Sequence, residues 1–353
     1  MKKQISVGGV LVGGGAPVTV QSMTNTKTSD VSATAAQILR LEALGCEIVR
    51  IAVPDMASAD AIGEIKKQIG IPLVADIHFD HKLALRAAEA GADKIRINPG
   101  NIGGADNVRL VAGICAKKGI PIRIGVNSGS LSDDIISRHG GPTAEAMYES
   151  AIEHIRLLNR FDFDDICVSA KASSVSITVE AYRLLSERTL YPLHLGVTEA
   201  GTEYTGIIKS SIGIGSLLLD GIGDTIRVSL TAPPESEVEA ALTILQSLGL
   251  RPGFDLISCP TCGRCKIDLI PVAQEVGRRL DYMQAAGDKR NFSVAVMGCA
   301  VNGPGEASRV DFGIAAGDGE GVLFKKGKIV GKAPMEKLVE ELFKMIDENA
   351  MDN

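Results

Sequence analysis

The sequence is poor in aromatic residues: tryptophan is absent, and aromatic side chains make up 4% of its 353 residues. The chain therefore offers few surfaces on which nucleic-acid bases could stack. Its 37 lysines and arginines are outnumbered by 43 aspartates and glutamates, so the net charge of −6 excludes a general basic surface for nucleic acid. No run of about 18 uninterrupted apolar residues occurs, so no transmembrane helix is predicted.

Three signatures of cofactor or metal chemistry are also missing. Five histidines are too few to favour a hydrolase whose metal is held by several histidines. Gly213-Ile214-Gly215 lacks the third glycine of a dinucleotide fingerprint, so no nicotinamide site is predicted and electrons for a reduction would come from elsewhere. The CxxxCxxC run of radical enzymes that use S-adenosylmethionine is absent.

Cysteine is too scarce for a disulfide framework. The chain has seven cysteines, an odd number, which is typical of a reducing compartment and of metal binding. The first residues, MKKQISVGGVLVGGG, resemble a weak signal peptide, but glycines interrupt the apolar run and no small-residue cleavage site follows. We predict a β-hairpin in this segment and a cytoplasmic protein.

A repeated unit fills most of the chain: a helical segment ends in glycine, and an apolar strand begins about three residues later. Gly45, Gly70, Gly91 and Gly119 mark such units, and glycine readily adopts the left-handed conformation that ends a helix. The strands are rich in valine and isoleucine, as parallel strands covered on both faces must be.

Eight such runs predict eight βα units. They are Val18–Thr24, Glu47–Val53, Pro72–Phe79, Lys94–Gly100, Pro121–Ser128, Asp165–Ser173, Leu193–Gly201 and Thr225–Thr231. Eight units over roughly 240 residues is the size of a (β/α)8 TIM barrel, and a doubly wound open sheet is the alternative. We predict an α/β fold, with a TIM barrel over residues 1–248 and a small α+β domain over residues 249–353.

Four predicted strands carry an arginine between apolar residues: Arg50, Arg96, Arg123 and Arg227. Strand side chains alternate between the two faces, so each arginine points into the barrel if its neighbours pack against helices. A buried guanidinium is costly unless it is paired. One such arginine could belong to a structural ion pair, but four favour a shared anion. Arginine binds phosphate oxygens in bidentate fashion, which favours a phosphate or diphosphate.

Further polar residues lie near the carboxyl ends of the predicted strands, where the active site of a TIM barrel is found. They are Asn25, Thr26, Asp76, His78, Asn98, Asn127, Ser128, Lys171 and Glu199. His78 taken alone could be a satisfied core residue. Glu199 is a candidate general acid, or else a partner of an arginine or of Lys171.

The strongest local signal is SCPTCGRCKID, which places Cys259, Cys262 and Cys265 three residues apart, with Cys299 following in MGCAVNGPGE. A zinc knuckle would use such thiolates, although a zinc ribbon needs a second close pair. Close cysteines plus a distant one also resemble the ligands of ferredoxin-type iron–sulfur clusters. Fortuitous thiols are the third interpretation. The tight turn predicted after Cys299 ends at Glu306, a weaker ligand for iron than a thiolate.

Three other cysteines, Cys46, Cys115 and Cys167, lie in predicted barrel elements. Free cysteine is often a buried, unreactive residue. We predict that these three are inert.

Five motifs together resemble one family, the bacterial 4-hydroxy-3-methylbut-2-en-1-yl diphosphate synthases of the non-mevalonate isoprenoid pathway. They are QSMTNT, RINPGN, GVNSGSL, SCPTCGR and GCAVNGPGE, and the match runs from about Gln21 to Gly313. The resemblance implies reductive ring opening and dehydration of 2-C-methyl-D-erythritol 2,4-cyclodiphosphate to 4-hydroxy-3-methylbut-2-enyl diphosphate. Reduced flavodoxin or ferredoxin would donate the two electrons.

The resemblance also implies a set of functional residues. One 4Fe–4S cluster per chain would be held by Cys259, Cys262, Cys299 and Glu306. Arg50, Arg96, Arg123, Asn127 and Lys171 would hold the diphosphate, Asp76 and His78 would line the site, and Glu199 would protonate the departing oxygen. Cys265 departs from the family pattern, as a bystander or as a competitor of Glu306. A head-to-tail homodimer is implied as well, in which one chain's cluster domain covers the other chain's barrel.

Two other functions stay open from the residues alone. A zinc-knuckle barrel hydrolase acting on a phosphorylated small molecule would contain zinc and resist air. A non-catalytic iron–sulfur sensor would need a nucleic-acid or partner surface, which the acidic charge balance does not supply.

Overall fold

The computed structural model describes residues 2–265, 267–299, 310–317 and 319–351. The chain divides into two compact units, Met1–Leu250 and Arg251–Asn353. None of the helices in the described ranges combines the length and apolarity that crossing a membrane requires.

The first unit opens with the hairpin that the sequence predicts. Strands β1 (Gln4–Val7) and β2 (Val10–Gly13) pair antiparallel. Ile5, Val7 and Val12 of this hairpin form a small buried cluster with Ile48, Val74 and Cys167, which lie near the beginnings of three barrel strands. The hairpin therefore packs at the amino-terminal end of the barrel.

Eight parallel strands follow: β3 (Thr19–Met23), β4 (Ile48–Ala52), β5 (Leu73–Asp76), β6 (Lys94–Ile97), β7 (Ile122–Asn127), β8 (Ile166–Lys171), β9 (His194–Leu195) and β10 (Thr225–Ile226). Their order in the sheet is β8-β7-β6-β5-β4-β3-β10-β9. A parallel bridge between Val168 and Leu193 links β8 to the segment before β9. The eight strands therefore form a barrel, which confirms the predicted TIM barrel and not the alternative of an open sheet.

Nine helices lie among the described residues of this unit: α1 (Val31–Ala43), α2 (Met56–Lys66), α3 (His81–Glu89), α4 (Ala105–Lys118), α5 (Asp133–His139), α6 (Ala144–Asn159), α7 (Val175–Arg188), α8 (Glu203–Leu219) and α9 (Pro234–Ser247). A short 3₁₀ helix spans Ser128–Ser130. Six helices begin after a residue whose side chain accepts a hydrogen bond from the first-turn backbone, namely Asp30, Asp55, Asp80, Ser132, Thr143 and Ser174. These caps satisfy amide groups that have no partner within the helix.

The glycine-based boundaries hold at three of four positions. Gly45, Gly91 and Gly119 follow or cap their helices with φ of 99°, 102° and 65°. The prediction is wrong for Gly70, which is not in the left-handed region. Helix α2 has already ended at Lys66, and the Gly70 amide donates instead to Glu42 Oε2 at 3.2 Å.

The second unit is built on a five-stranded sheet in the order β11-β12-β13-β14-β15. Its strands are β11 (Phe254–Ser258), β12 (Phe292–Met297), β13 (Phe312–Ala316), β14 (Glu320–Lys325) and β15 (Lys328–Pro334). Among its described residues, the helices are α10 (Leu269–Ala285) and α11 (Leu338–Met351), and a 3₁₀ turn at Met335–Lys337 precedes α11. The first three strands are parallel, and the last two pair antiparallel. Both helices contribute to one core cluster, and a second cluster includes Ala295, Met297 and Phe324.

Candidate functional site

Alternation along the barrel strands turns one set of polar side chains inward. Ile95 and Ile97 of β6 are fully buried in the core shared with the helices, and Arg96 lies between them. The same pattern on β7 buries Ile122 and Ile124 on either side of Arg123. Isoleucine at alternate positions therefore directs both arginines into the barrel interior.

Asp76 at the end of β5 is the carboxylate around which two arginines gather. Its register partners are Ala52 of β4 and Arg96 of β6. Arg96 Nη1 donates to Asp76 Oδ1 at 3.0 Å, Arg50 Nε lies 3.7 Å from Oδ2, and His78 Nε2 lies 3.3 Å from Oδ2. Burial raises the pKa of Asp76, but Arg50, His78 and Arg96 outweigh burial and hold that pKa well below its ordinary range.

Arg123 and Lys171 lie in the same interior without such a partner. Arg123 is 1% exposed, and its Nε and Nη1 have no hydrogen-bond partner among the described residues. Burial, reinforced by Arg96, lowers the pKa of Arg123 to about 10. Burial, followed by Arg123 and Arg50, lowers the pKa of Lys171 well below its usual value. A buried donor without a partner costs about 1–3 kcal/mol, so this interior favours an added acceptor.

Two glycines leave room for these cations. A Cβ atom at Gly125 would lie 2.3 Å from Arg96 Nε, and one at Gly196 would lie 2.5 Å from Lys171 Nζ. Both distances are shorter than a side chain tolerates. A side chain at either position would therefore displace the cation beside it, and at Gly196 it would also meet the carbonyl oxygen of Arg227 at 2.6 Å.

Lys94 is an interior cation that the sequence analysis did not select. It lies two residues before Arg96 on β6, is fully buried, and its Nζ has no partner in the described part of the chain. Burial, together with Arg123 and Arg50, lowers the pKa of Lys94 to about 8. The alternation Lys94-Ile95-Arg96-Ile97 places Lys94 on the same inward face as Arg96, so the sequence pattern predicts its position.

Arg227 has a different role from the other strand arginines. Its Nε and Nη2 donate to the carboxylate of Glu237 on α9 at 3.2 Å, and both side chains are largely buried. The amide of Leu230 also donates to Glu237, at 3.0 Å. The structural ion-pair interpretation therefore applies to Arg227, while Arg50, Arg96 and Arg123 share Asp76 or have no carboxylate partner.

The predicted residues at the strand ends separate into two groups. Asn127 ends β7 opposite Lys171 in the register, and Asn98 Nδ2 donates to Ser130 Oγ at 3.3 Å beside it. Asn25 and Thr26 are instead tied to α1, where Gln37 Nε2 donates to Asn25 Oδ1 at 2.6 Å. The first group borders the cationic interior, whereas the second holds a helix in place.

Glu199 is exposed and lies four residues after the end of β9. Its φ of 51° is in the left-handed region, which is uncommon for a residue other than glycine. It forms no ion pair among the described residues, so it is not the partner of an arginine or of Lys171. A strained, unpaired carboxylate near a strand end is a candidate for chemistry.

The cysteines of the second unit meet at one edge of its sheet. Strands β11 and β12 are parallel, and Ser258 pairs with Val296. Cys259 and Cys299 therefore follow their strands at the same edge. Gly298 N donates to Cys259 Sγ at 3.3 Å, and a Cβ atom at Gly298 would lie 2.3 Å from Cys265 Sγ.

The thiols differ in their hydrogen bonds. Cys259 Sγ accepts from an amide, whereas Cys265 Sγ donates to the carbonyl of Ile267 at 3.2 Å. Cys262 is exposed, and hydrogen bonding from the Arg264 backbone lowers its pKa. Within the described ranges, no three Cys, His, Asp or Glu side chains are arranged to hold a metal ion. Glu306 and the turn before it lie outside the described residues.

The three barrel cysteines fit the prediction that they are inert. Cys46, Cys115 and Cys167 are buried and form no disulfide. Burial raises the pKa of Cys46 and of Cys115 to about 12. A thiol in that state is a poor nucleophile and a poor metal ligand.

Two family models match the chain: the GcpE TIM-barrel domain over residues 2–242 and the GcpE protein C-terminal domain over residues 255–348. The chain is 57% identical over 346 residues to the 4-hydroxy-3-methylbut-2-en-1-yl diphosphate synthase (flavodoxin) of Caldicellulosiruptor saccharolyticus, with 98% of each chain covered. The protein of that name from Geobacter sulfurreducens is 55% identical, covering 98% of this chain and 97% of the relative.

Among solved structures, a dihydropteroate synthase from Xanthomonas albilineans in complex with 7,8-dihydropteroate matches with a TM-score of 0.50 and 16% identity. The match covers 70% of this chain and 99% of the other. At that identity the similarity concerns the barrel fold alone.

Proposed function

This chain belongs to the GcpE family, and we propose that it converts 2-C-methyl-D-erythritol 2,4-cyclodiphosphate to 4-hydroxy-3-methylbut-2-enyl diphosphate by reductive ring opening and dehydration. The synthase named for its relatives forms that product. The observation that carries the proposal is the excess of buried cations in the barrel. Lys94, Arg96, Arg123 and Lys171 are buried and Arg50 is largely buried, yet among the described residues only Arg50 and Arg96 of this set contact a carboxylate, that of Asp76. A diphosphate supplies the missing negative charge.

The diphosphate binds to Arg50, Arg96, Arg123, Lys171 and Asn127 in this proposal. Asp76 holds two of the guanidinium groups in place, so little reorganisation is needed when the ligand enters. His78, whose side chain is 53% exposed, lines the same site from the end of β5. Binding an anion favours the charged form of Lys171, whose pKa is otherwise lowered by burial.

Glu199 acts as the general acid. The substrate loses one oxygen as water, and that oxygen needs a proton as its bond to carbon breaks. Glu199 is exposed and forms no ion pair within the described ranges, so no described cation competes for its carboxyl group.

Cys259, Cys262, Cys299 and Glu306 would hold a 4Fe–4S cluster, which supplies the two electrons one at a time when it is bound. The donor set supports this assignment. Cys259 and Cys299 lie at one sheet edge, and Cys262 is exposed on the adjoining segment. The amide of Gly298 already donates to Cys259 Sγ, and such bonds stabilise thiolate ligands.

The donor of the electrons is reduced flavodoxin or ferredoxin, and the relatives are named as flavodoxin-dependent synthases. We also propose a cytoplasmic location, because an odd number of cysteines, seven, is typical of a reducing compartment. A head-to-tail homodimer remains part of the proposal, and a strictly monomeric yet fully active preparation would contradict it. The zinc-knuckle hydrolase is not the function named for this family's members.

The test is turnover under strictly anaerobic conditions. Protein prepared without oxygen is expected to contain about four iron and four sulfide per chain. It should form the linear diphosphate when the cyclic diphosphate and chemically reduced flavodoxin are both supplied, with oxidised flavodoxin as the control. Anaerobic protein that contains zinc and no inorganic sulfide would overturn the proposal. So would cluster-containing protein that leaves the cyclic diphosphate unchanged.

Anion binding can be tested without any cluster. Inorganic pyrophosphate at 100 times its Kd is expected to raise the stability of the wild type by about 2.7 kcal/mol, or a Tm rise of roughly 5–10 °C. Arg123→Met should weaken pyrophosphate binding at least about 30-fold, because a buried charged contact is worth about 2–5 kcal/mol. Calorimetric titration measures the Kd, and Arg183→Met, which removes an exposed ion pair with Asp220, is the control. If Arg123→Met and Arg183→Met bound pyrophosphate with equal affinity, Arg123 would not be part of the anion site.

Cys265→Ser is expected to leave iron and sulfide content unchanged. The Cys265 thiol already donates to the carbonyl of Ile267 at 3.2 Å, and the proposed ligand set does not use it. Metal analysis and visible absorption of anaerobic protein measure the outcome. A colourless, iron-free product would show that Cys265 belongs to the ligand set.

A further inference from the structure

Cys262 and Cys265 close a tight turn on the surface of the second unit. The amide of Cys265 donates to the carbonyl of Cys262 at 2.9 Å, across Gly263 and Arg264. A turn of this kind brings its first and last Cα atoms within about 7 Å. Disulfides join cysteines whose Cα atoms are about 4.4–6.8 Å apart. The backbone therefore already holds the two residues near bridging distance.

The two thiols also differ in access. Cys262 is exposed, whereas Cys265 is partly buried and lies against Gly298. A dithiol with one accessible and one protected sulfur is the arrangement of Cys-x-x-Cys redox motifs, in which the accessible thiol reacts first and the second resolves it. The proposed reaction uses Cys262 as a cluster ligand and has no role for Cys265.

We propose that in chains without a cluster Cys262 and Cys265 form a reversible intrachain disulfide, with a low-molecular-weight disulfide as the oxidant. The Cys262 sulfur attacks one sulfur of the small disulfide, breaks its S–S bond and releases one small thiol. The Cys265 sulfur then attacks Cys262 Sγ and releases the second. Two protein thiols are oxidised, the small disulfide is reduced to two thiols, and the two protein protons pass to those thiols.

Cys259 is the competing partner, because its sulfur also lies beside Gly298. Its Sγ is held by the Gly298 amide at 3.3 Å, and Cys259 is less exposed than Cys262. Exchange with a dissolved disulfide begins at the thiol that the reagent can reach. The structure therefore favours Cys262 as the first sulfur to react.

The bridge would protect a cluster ligand. An exposed thiol is oxidised stepwise to sulfenic acid and then to irreversible sulfinic and sulfonic acids. A disulfide protects Cys262 from this stepwise oxidation, and a dithiol reductant restores the free thiol. A chain that has lost its cluster in air could then be loaded again.

The experiment uses the full chain, freed of iron by a chelator, reduced, and incubated with oxidised glutathione. Remaining thiols are alkylated, and the protein is digested with trypsin, which cleaves after Arg264 between the two cysteines. The bridge then appears as a cross-link between two peptides. Alkylation in denaturant is expected to modify two fewer of the seven cysteines after oxidation, and treatment with a dithiol reductant should restore both.

Four variants locate the bridge. The cross-link should persist in Cys259→Ser and in Cys115→Ser, the buried control. It should vanish in Cys262→Ser and in Cys265→Ser, and the latter should instead carry a glutathione adduct at Cys262. A wild type without the cross-link, or a Cys262→Ser variant that keeps it, would overturn the proposal. Because no substrate is involved, failure here leaves the proposed reaction untouched.

Discussion

Asp76→Asn is expected to destabilise the ligand-free protein by about 3–5 kcal/mol, because removing one partner of a buried ion pair leaves the other charge uncompensated. Arg50 and Arg96 both lose their carboxylate in this variant. For a barrel of this size the loss corresponds to a Tm decrease of roughly 6–20 °C. Differential scanning calorimetry of cluster-free protein measures it.

Asp220→Asn is the matched control. Asp220 pairs with Arg183, and both side chains are about half exposed. Exposed ion pairs contribute about 0–1 kcal/mol, so this variant should unfold within a few degrees of the wild type. If the two aspartate variants lost equal stability, Asp76 would be no more than a surface-like partner.

The stability difference between wild type and Asp76→Asn should depend on pH in one direction. The folded-state pKa of Asp76 is depressed below its unfolded value of about 3.9, so its contribution is fully present above that pH. It is lost as the pH falls through the folded-state pKa. The stability difference should therefore stay constant from pH 7 down to about pH 4 and shrink only in stronger acid, which urea unfolding at successive pH values follows.

Added pyrophosphate should stabilise Asp76→Asn more than it stabilises the wild type. The variant has the same cations with no carboxylate among them, so an anion relieves more repulsion there. A smaller increment in the variant would mean that Asp76 serves mainly to orient the guanidinium groups for the ligand.

The barrel could be predicted from the sequence because its signal is local. A strand covered on both faces is a nearly continuous apolar run, and an inward arginine such as Arg96 interrupts that run visibly. The last two strands were predicted much too long. Backbone pairing at β9 and β10 covers two residues each, although the apolar run around Leu193 continues further.

Partners that meet only in three dimensions could not be predicted. Arg227 is matched by Glu237 from the following helix, and no local pattern separates it from Arg96 or Arg123. The alternation of charged and apolar residues on β6 includes Lys94 as well as Arg96, but no motif marks Lys94. Cys259 and Cys299 meet because β11 pairs with β12, and β11 was not predicted as a strand. The role of Glu306 stays a prediction.

Glu199→Gln is expected to reduce kcat by about 100- to 10,000-fold, the usual contribution of a general acid. Glutamine has nearly the same shape, so pyrophosphate affinity and KM should change little. Anaerobic steady-state kinetics with reduced flavodoxin measure both parameters. A variant that keeps the full rate would remove Glu199 from the chemistry.

Glu199→Gly separates a catalytic role from a structural one. Glutamate at a φ of 51° carries a left-handed strain of about 1–2 kcal/mol, which glycine relieves. The glycine variant also loses about 0.5–1 kcal/mol of stability, because glycine gives the unfolded chain more conformational freedom. The variant should therefore be at least as stable as the wild type, yet as inactive as Glu199→Gln. Asp162→Gly is the control, since Asp162 is exposed and has a φ of 55° in the turn before β8.

The comparison of the two glycine variants decides why the strain at position 199 is retained. If both gain the same stability and Glu199→Gly alone loses turnover, the left-handed backbone is kept because it aims a carboxyl group at the substrate. If Glu199→Gly is clearly less stable than Asp162→Gly, the glutamate side chain supports the loop itself, and the acid must be sought elsewhere on the barrel rim. Tm and kcat measured on the same preparations distinguish the two outcomes.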